Sequence, residues 1–175
     1  MRPARIYDYL VRSRARVLEA TRGLPASDHA RVFPIGLGTI GRTLTHIMIS
    51  EWYYVQRMQQ RVVPVYEKWP IRDEHPPPLA TLEAAWRTQA DETRAAIATL
   101  AGTAAWEAAL SYEPEPDEGK TIVVTASPAD IFTQLVLHEV HHRAQALNML
   151  RQLGASAGEI DCNAMMYDQR DIPAG

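Results

Sequence analysis

Apolar residues recur at helical spacing in four stretches of the chain. The first, over 3–23, sets Ile6, Leu10, Val17 and Leu18 on one face and stops at Gly23. The second should start near Thr39 and run to about Arg61. Its stripe is Ile40, Leu44, Ile47, Met48, Val55, Met58 and Val62, and Pro64 bends or ends it. The third covers about 79–101, from Leu79 and Leu82 through Trp86 to Ile97 and Leu100, with Gly102 as its end. The fourth has the clearest bounds. Ser127 is a natural N-cap, Pro128 takes the first helical position, and Asp130 completes a capping-box-like spacing. That helix runs to Leu153, where Gly154 supplies a left-handed stop.

The segments between are of different kinds. A linker passes through Pro25, Ser27, Pro34, Gly36 and Gly38, and Pro76, Pro77 and Pro78 make Trp69–Pro78 a loop. Residues 112–126 are the least helical. Acidic residues and prolines lead into Gly119-Lys120 and the β-branched run Thr121–Thr125, which reads as a crossover with a short hairpin. A tail over 155–175 follows, with Met165, Met166 and Tyr167 able to dock on the helices. Four long helices joined by one longer crossover predict an all-α four-helix bundle, one domain spanning 1–175.

Composition narrows the partners. A formal charge of -3, with no basic stripe, gives no electrostatic reason to expect nucleic acid. No apolar run approaches the roughly 18 residues of a membrane helix. Arg2, Arg5, Asp8 and Arg12 break up any signal-peptide core. The single cysteine, Cys162, cannot form an internal disulfide and suits a reducing compartment, so the expectation is a cytoplasmic protein with Cys162 as a small buried hydrophobe.

The candidate chemistry sits on the fourth helix. At about 100° per residue, Ile131, Leu135, His138, His142, Gln145, Met149 and Leu153 form one seam. Two imidazoles and an amide occupy positions where leucine would pack better. An unpaired buried polar group costs about 1–3 kcal/mol, so each histidine needs a hydrogen-bond partner or a metal. A pair at i and i+4 has the geometry of a bidentate clamp for a divalent metal. His141 lies off the seam beside Gln134, next to the ligands or at the surface. Spacing leaves the third ligand open. His29 is in the first linker and His75 in the proline loop. His46 falls nearly opposite the Ile40–Val62 stripe, on a face with Tyr53 and Arg57, and Glu51 lies closer to the stripe.

The run Leu137-His138-Glu139-Val140-His141-His142-Arg143-Ala144-Gln145, continuing to Leu150-Arg151-Gln152-Leu153-Gly154, resembles the last helix of the DinB family. The resemblance extends to Leu24-Pro25, the glycines before the second helix and Leu44-Thr45-His46-Ile47. It implies a metal held by His46, His138 and His142, with Tyr53 as a pocket neighbour. Three neutral ligands leave a position open, as in catalytic sites, and suit zinc first, with nickel or iron as alternatives. Family members with known activity are often metal-dependent transferases of bacillithiol, mycothiol or glutathione, and pairing as homodimers is common among them. The expectation is therefore thiol transfer onto a small electrophile, with Gln145 orienting ligand or water, Tyr53 in the pocket and Arg57 holding the thiol cosubstrate. A hydrolase activating water, or a metal-stabilised module without catalysis, are the alternatives.

His138-Glu139-Val140-His141-His142 also satisfies His-Glu-x-x-His, in which Glu139 would be the base of a zinc protease. The extended form needs a glycine and a histidine where this chain has Gln145 and Asn148, and Glu159 as a downstream ligand sits past the helix. On the wheel Glu139 lies about 100° from His138, which reads as a carboxylate on the helix surface.

Overall fold

The structure, a computed structural model, describes residues 2–116 and 119–170. Asp117 and Glu118 of the expected crossover, and 171–175 of the tail, lie outside the described residues. The chain folds as an all-α protein with a minor two-stranded sheet. Its long helices are α1 (Pro3–Arg22), α3 (Ile40–Met58), α4 (Leu79–Leu100) and α6 (Pro128–Gln152). Short helical turns fill the connections: α2 (Ala26–His29), a 3-10 turn (Tyr66–Lys68), α5 (Ala104–Glu107) and α7 (Cys162–Met166). Helix α3 packs on α4 and α6, and α1 packs on the same two. None of the described helices is long and apolar enough to cross a membrane.

Local chemistry sets these bounds. At the start of α6 the capping box is complete: the Asp130 amide donates to Ser127 Oγ at 3.1 Å, and the Ser127 amide donates to Asp130 Oδ2 at 2.8 Å. At its end Gly154 takes φ +75° and the Ala155 amide reaches back to the Leu150 carbonyl. Helix α3 stops three residues before the expected Arg61. Gln60 adopts φ 55°, and the Arg61 amide closes on the Gln56 carbonyl at 2.9 Å. This closure usually uses glycine, so neither Gly nor Pro marks it in the sequence. Val62 therefore falls off the stripe and is 92% exposed.

The first linker, expected without structure, contains the α2 turn. The expected hairpin pairs β1 (Leu110–Tyr112) with β2 (Val124–Ala126), antiparallel, so only the end of the β-branched run is strand. In the tail, α7 and the residues just before it lie on α1 through backbone carbonyls: Arg5 donates to Met166 O, Arg12 to Met165 O and Tyr9 to Ile160 O. Met165 and Met166 are partly covered, whereas Tyr167 and Cys162 are exposed. The expectation of a buried Cys162 is thus wrong, because α7 turns that side chain outward.

Two apolar clusters fill the interior, one around Ile40, Leu44, Trp86, Met149 and Leu150, the other around Tyr7, Leu10, Val55, Leu135 and Phe132. An ionic network lies in the same interior. Glu51 accepts from Arg14 Nη1 (2.6 Å), Trp86 Nε1 (2.8 Å), Thr93 Oγ1 (2.7 Å) and the Tyr7 hydroxyl. Glu139 accepts from Arg14 Nη2 at 2.7 Å and Arg143 Nη1 at 3.3 Å. Arg143 also donates to Ser13 and to Tyr9. Burial works against the Arg14 charge, but Glu139 and Glu51 outweigh it and hold its pKa above the ordinary value.

Glu139, read from the wheel as a surface group, is 2% exposed. The deep line of α6 runs through Phe132, Leu135, Glu139, Arg143, Ala146 and Leu150. His138 and His142, expected at the centre of the seam, stand on the shoulder of that line and are partly buried. Periodicity alone assigns Glu139 to solvent. Its partner Arg14 comes from α1, more than a hundred residues earlier.

Candidate metal centre

Helix α3 presents His46 and helix α6 presents His138 and His142 to the same point. One ligand atom from each lies within 4.8 Å of the others, and this is the one such group of three among the described residues. His46 Nε2 and His138 Nε2 are 3.1 Å apart. Two nitrogens at zinc distance on a tetrahedral ion stand about 3.3 Å apart, so the spacing fits a shared ion. The i, i+4 step brings the His138 and His142 rings to 4.4 Å, and His46 closes the set at 5.0 and 4.7 Å.

Two of the three rings are fixed from behind. Asp73 Oδ2 takes the Nδ1 edge of His46 at 2.7 Å, and Gln145 Oε1 takes that of His142 at 2.9 Å. With Nδ1–H donated in each case, Nε2 is left with a lone pair directed elsewhere. Asp73 is itself held: the Tyr66 hydroxyl donates to Oδ1 at 2.6 Å and accepts from the Asp73 amide at 3.2 Å. The His46 hydrogen bond, more than any other contact, holds the Asp73 carboxyl below the ordinary carboxylate range, and Tyr66 adds to this against the effect of burial. Burial, then the Asp73 hydrogen bond, pushes the Tyr66 hydroxyl up to about 12.

Burial, reinforced by His142, His46 and His141, pushes His138 down from 6.5 to about 3. His142 is lowered too, chiefly by burial and in spite of Gln145. Neutral imidazole is the form that binds a metal. The donor set, its backing groups and its protonation all fit a divalent transition ion.

The remaining sequence candidates divide. Gln145 contacts His142 and also His141, its Nε2 lying 3.0 Å from His141 Nε2, so His141 is an exposed residue linked to a ligand through one amide. Gly36, with φ +50°, allows this: a Cβ there would come within 2.2 Å of Gln145 Oε1. Tyr53 shares a cavity of about 380 Å³ with His46, Asp73, Tyr66 and Trp69, and its ring stacks on Trp69 at 5.7 Å. Arg57 lies over the Tyr53 and Tyr112 rings and donates to the Glu113 carbonyl, one turn along α3 from the cavity. His29 bonds the Thr21 carbonyl, Glu159 accepts from the Asp161 amide, and neither joins the triad. Glu51, the alternative third ligand, is enclosed in the ionic network.

Sequence reasoning missed Asp73 and Tyr54, whose ring stands edge-on to His138 at 5.7 Å. Tyr54 follows Tyr53 directly but stands about 80° around the wheel from His46, so spacing alone does not single it out. No local pattern marks Asp73, which reaches His46 only through the path of the loop.

The protease reading loses its base. Glu139 points into the interior, bound to Arg14 and Arg143, rather than toward the histidines.

Comparison with known proteins bears on the fold and the family. Among curated proteins no match is found. A crystal structure of a DinB-like protein from Bacillus cereus ATCC 10987 superposes with a TM-score of 0.54 at 16% identity, covering 86% of this chain and 94% of that one, a likeness of fold. The sequence model of the DinB family matches residues 1–172, a stretch that contains all three histidines and both backing groups, and on that match this chain belongs to the DinB family.

Proposed function

We propose that His46, His138 and His142 hold a divalent metal, zinc first among the candidates, in an enzyme that transfers a low-molecular-weight thiol to a small electrophile. The observation that carries the reading is the convergence of three ligand atoms within 4.8 Å, two of the rings being held through Nδ1. When bound, the ion supplies Lewis acidity that favours the thiolate of a thiol at neutral pH. The chain's own residues do the positioning. Asp73 and Gln145 fix the imidazole planes, and Tyr53, Trp69 and Tyr66 wall a cavity of about 380 Å³ beside His46, within the range of small-ligand sites. Arg57 is a candidate for the anionic groups of the thiol, although it lines a neighbouring cavity with Tyr112, one helical turn from Tyr53.

Of the carboxylates around the histidines, Asp73 is engaged by His46 and Tyr66 and Glu139 by two arginines, whereas the exposed Glu74 lines the cavity beside His46. A hydrolase that uses Asp73 or Glu139 as its base is thereby disfavoured, and Glu74 is the carboxylate such a reading would have to use. The deciding experiment incubates metal-loaded protein with bacillithiol, mycothiol or glutathione and a panel of small electrophiles, reading conjugates by mass spectrometry. Conjugation that disappears in His142→Ala supports the reading. Ester turnover without added thiol would replace it with the hydrolase, and a metal-dependent melting temperature with no turnover at all would leave the stabilised module.

We further propose a homodimer. Leu137 and Val140, 60% and 40% exposed on the outer face of α6, form an apolar strip together with Ala144.

A further inference from the structure

A cavity of about 510 Å³ lies apart from the histidine triad. It lies between the end of α1, α2, the first turn of α3, the proline loop and the start of α4. Carbon dominates its walls, from Leu44 and Leu82 to Pro76 and Pro78. The helix and the loops meet closely here. A Cβ on Gly41 would stand 3.2 Å from the His29 carbonyl oxygen and 3.5 Å from Pro76 Cβ, so the floor is set by packing.

One permanent charge lines this apolar space. The Arg42 guanidinium makes no hydrogen bond or ion pair among the described residues, and its Nε is shielded from solvent without a partner. Asp73 feels the Arg42 charge, but both its oxygens are taken, one by His46 and one by Tyr66. No carboxylate lines the cavity. His29 is also on the wall, its Nε2 lying 3.0 Å from the Thr21 carbonyl oxygen. A shielded donor without an acceptor is costly, and a planar guanidinium is matched by a carboxylate.

We propose that this cavity binds a small organic acid, its apolar body against Leu44, Leu82 and the prolines and its single carboxylate on Arg42. Arg42 is the one permanent charge among the lining residues, and a single guanidinium matches the single negative charge of a monocarboxylate. Arg42 also lines the cavity beside His46, one helical turn away, so the bound acid would lie next to the metal centre without being part of it. The proposal does not depend on the metal reading.

Its test is calorimetric titration of the full chain with 4-phenylbutyrate and with the uncharged 4-phenylbutan-1-ol. Wild type, Arg42→Gln, Ala26→Trp and His142→Ala are compared, each checked for its helical spectrum. Saturable one-site binding of the acid is expected in wild type and in His142→Ala. Loss of the charge-assisted pair should weaken binding about tenfold or more, both in Arg42→Gln and for the alcohol. Ala26→Trp, which places an indole in the cavity, should abolish it. Failure of wild type to bind, equal affinity for acid and alcohol, or unchanged binding in Arg42→Gln would overturn the proposal. Binding lost in His142→Ala yet kept in Arg42→Gln would put the acid on the histidines and overturn it as well. None of these outcomes bears on thiol transfer.

Discussion

Asp73 Oδ2 lies 2.7 Å from His46 Nδ1, and this contact ties the loop before α4 to the histidine triad. A carboxylate behind a ligating imidazole fixes the ring and raises its basicity, and removal of such a partner typically costs about 10–100-fold in metal affinity. Asp73→Asn should therefore weaken zinc binding by that order, measured by competition with a chromogenic chelator. Unchanged affinity would mean that the loop contact is incidental to the site.

Metal content by elemental mass spectrometry should be near stoichiometric in wild type and in His141→Ala, because His141 reaches the site only through Gln145. His46→Ala, His138→Ala and His142→Ala should each purify with metal largely lost. Retention in His46→Ala would leave only the pair on α6 as ligands and would remove α3 from the site.

Gly36 gives a conformational handle on the same centre. At φ +50° an alanine is strained, and its Cβ would displace Gln145, the group behind His142. A left-handed non-glycine residue costs on the order of 1–3 kcal/mol. Gly36→Ala should lower stability by about 1 kcal/mol or more and weaken metal binding, whereas Gly102→Ala, also left-handed but with open space around it, should lower stability alone. Equal metal affinities in the two variants would show that Gln145 does not hold His142.

The acid sensitivity of the metal-free protein follows from His138. Its folded pKa, about 3, lies below the unfolded value of 6.5. Between those values the unfolded chain binds a proton that the folded chain does not, so stability falls as pH drops from about 6.5 toward 3. Asp73, also lowered, acts in the same direction at the acid end of this window. Urea midpoints of the metal-free protein should decline through this range, and His138→Gln should flatten the slope. The same slope in the variant would assign the sensitivity to other groups.

The outline of the fold was legible because its signals are local. Ser127, Pro128, Asp130 and Gly154 bound α6 within a residue, and the i, i+4 pair His138 and His142 announces itself by spacing. His46 was reachable only through likeness to the family, since its face of α3 looks polar until the loop carrying Tyr66, Trp69 and Asp73 covers it. What the sequence hid is non-local. Gln60 ends α3 in a conformation that glycine normally marks. Cys162 depends on how α7 turns on α1, and Glu139 is read as solvated unless Arg14 is known to face it.

The strip on α6 tests assembly. Leu137→Glu should shift the light-scattering mass from dimer to monomer without loss of helicity, because the side chain is 60% exposed within the single chain. An unchanged dimer would place the interface elsewhere, and a monomeric wild type would remove it.

The buried network separates structural from catalytic use of Glu139. Removing one partner of a buried ionic set leaves an uncompensated charge and costs about 3–5 kcal/mol, whereas replacing a whole pair by apolar groups is often neutral. Glu139→Leu strands Arg143 and takes one of the two carboxylates from Arg14, so it should destabilise by that amount in urea unfolding. Adding Arg143→Met removes the stranded charge and keeps the Arg14–Glu51 pair. The double variant should recover part of the loss, a coupling that independent sites would not give. A protease base would behave oppositely: Glu139→Gln would abolish turnover with little effect on stability. Additive losses in the cycle, together with such a loss of turnover, would return Glu139 to the chemistry and break the account of the core given by Arg14 and Arg143.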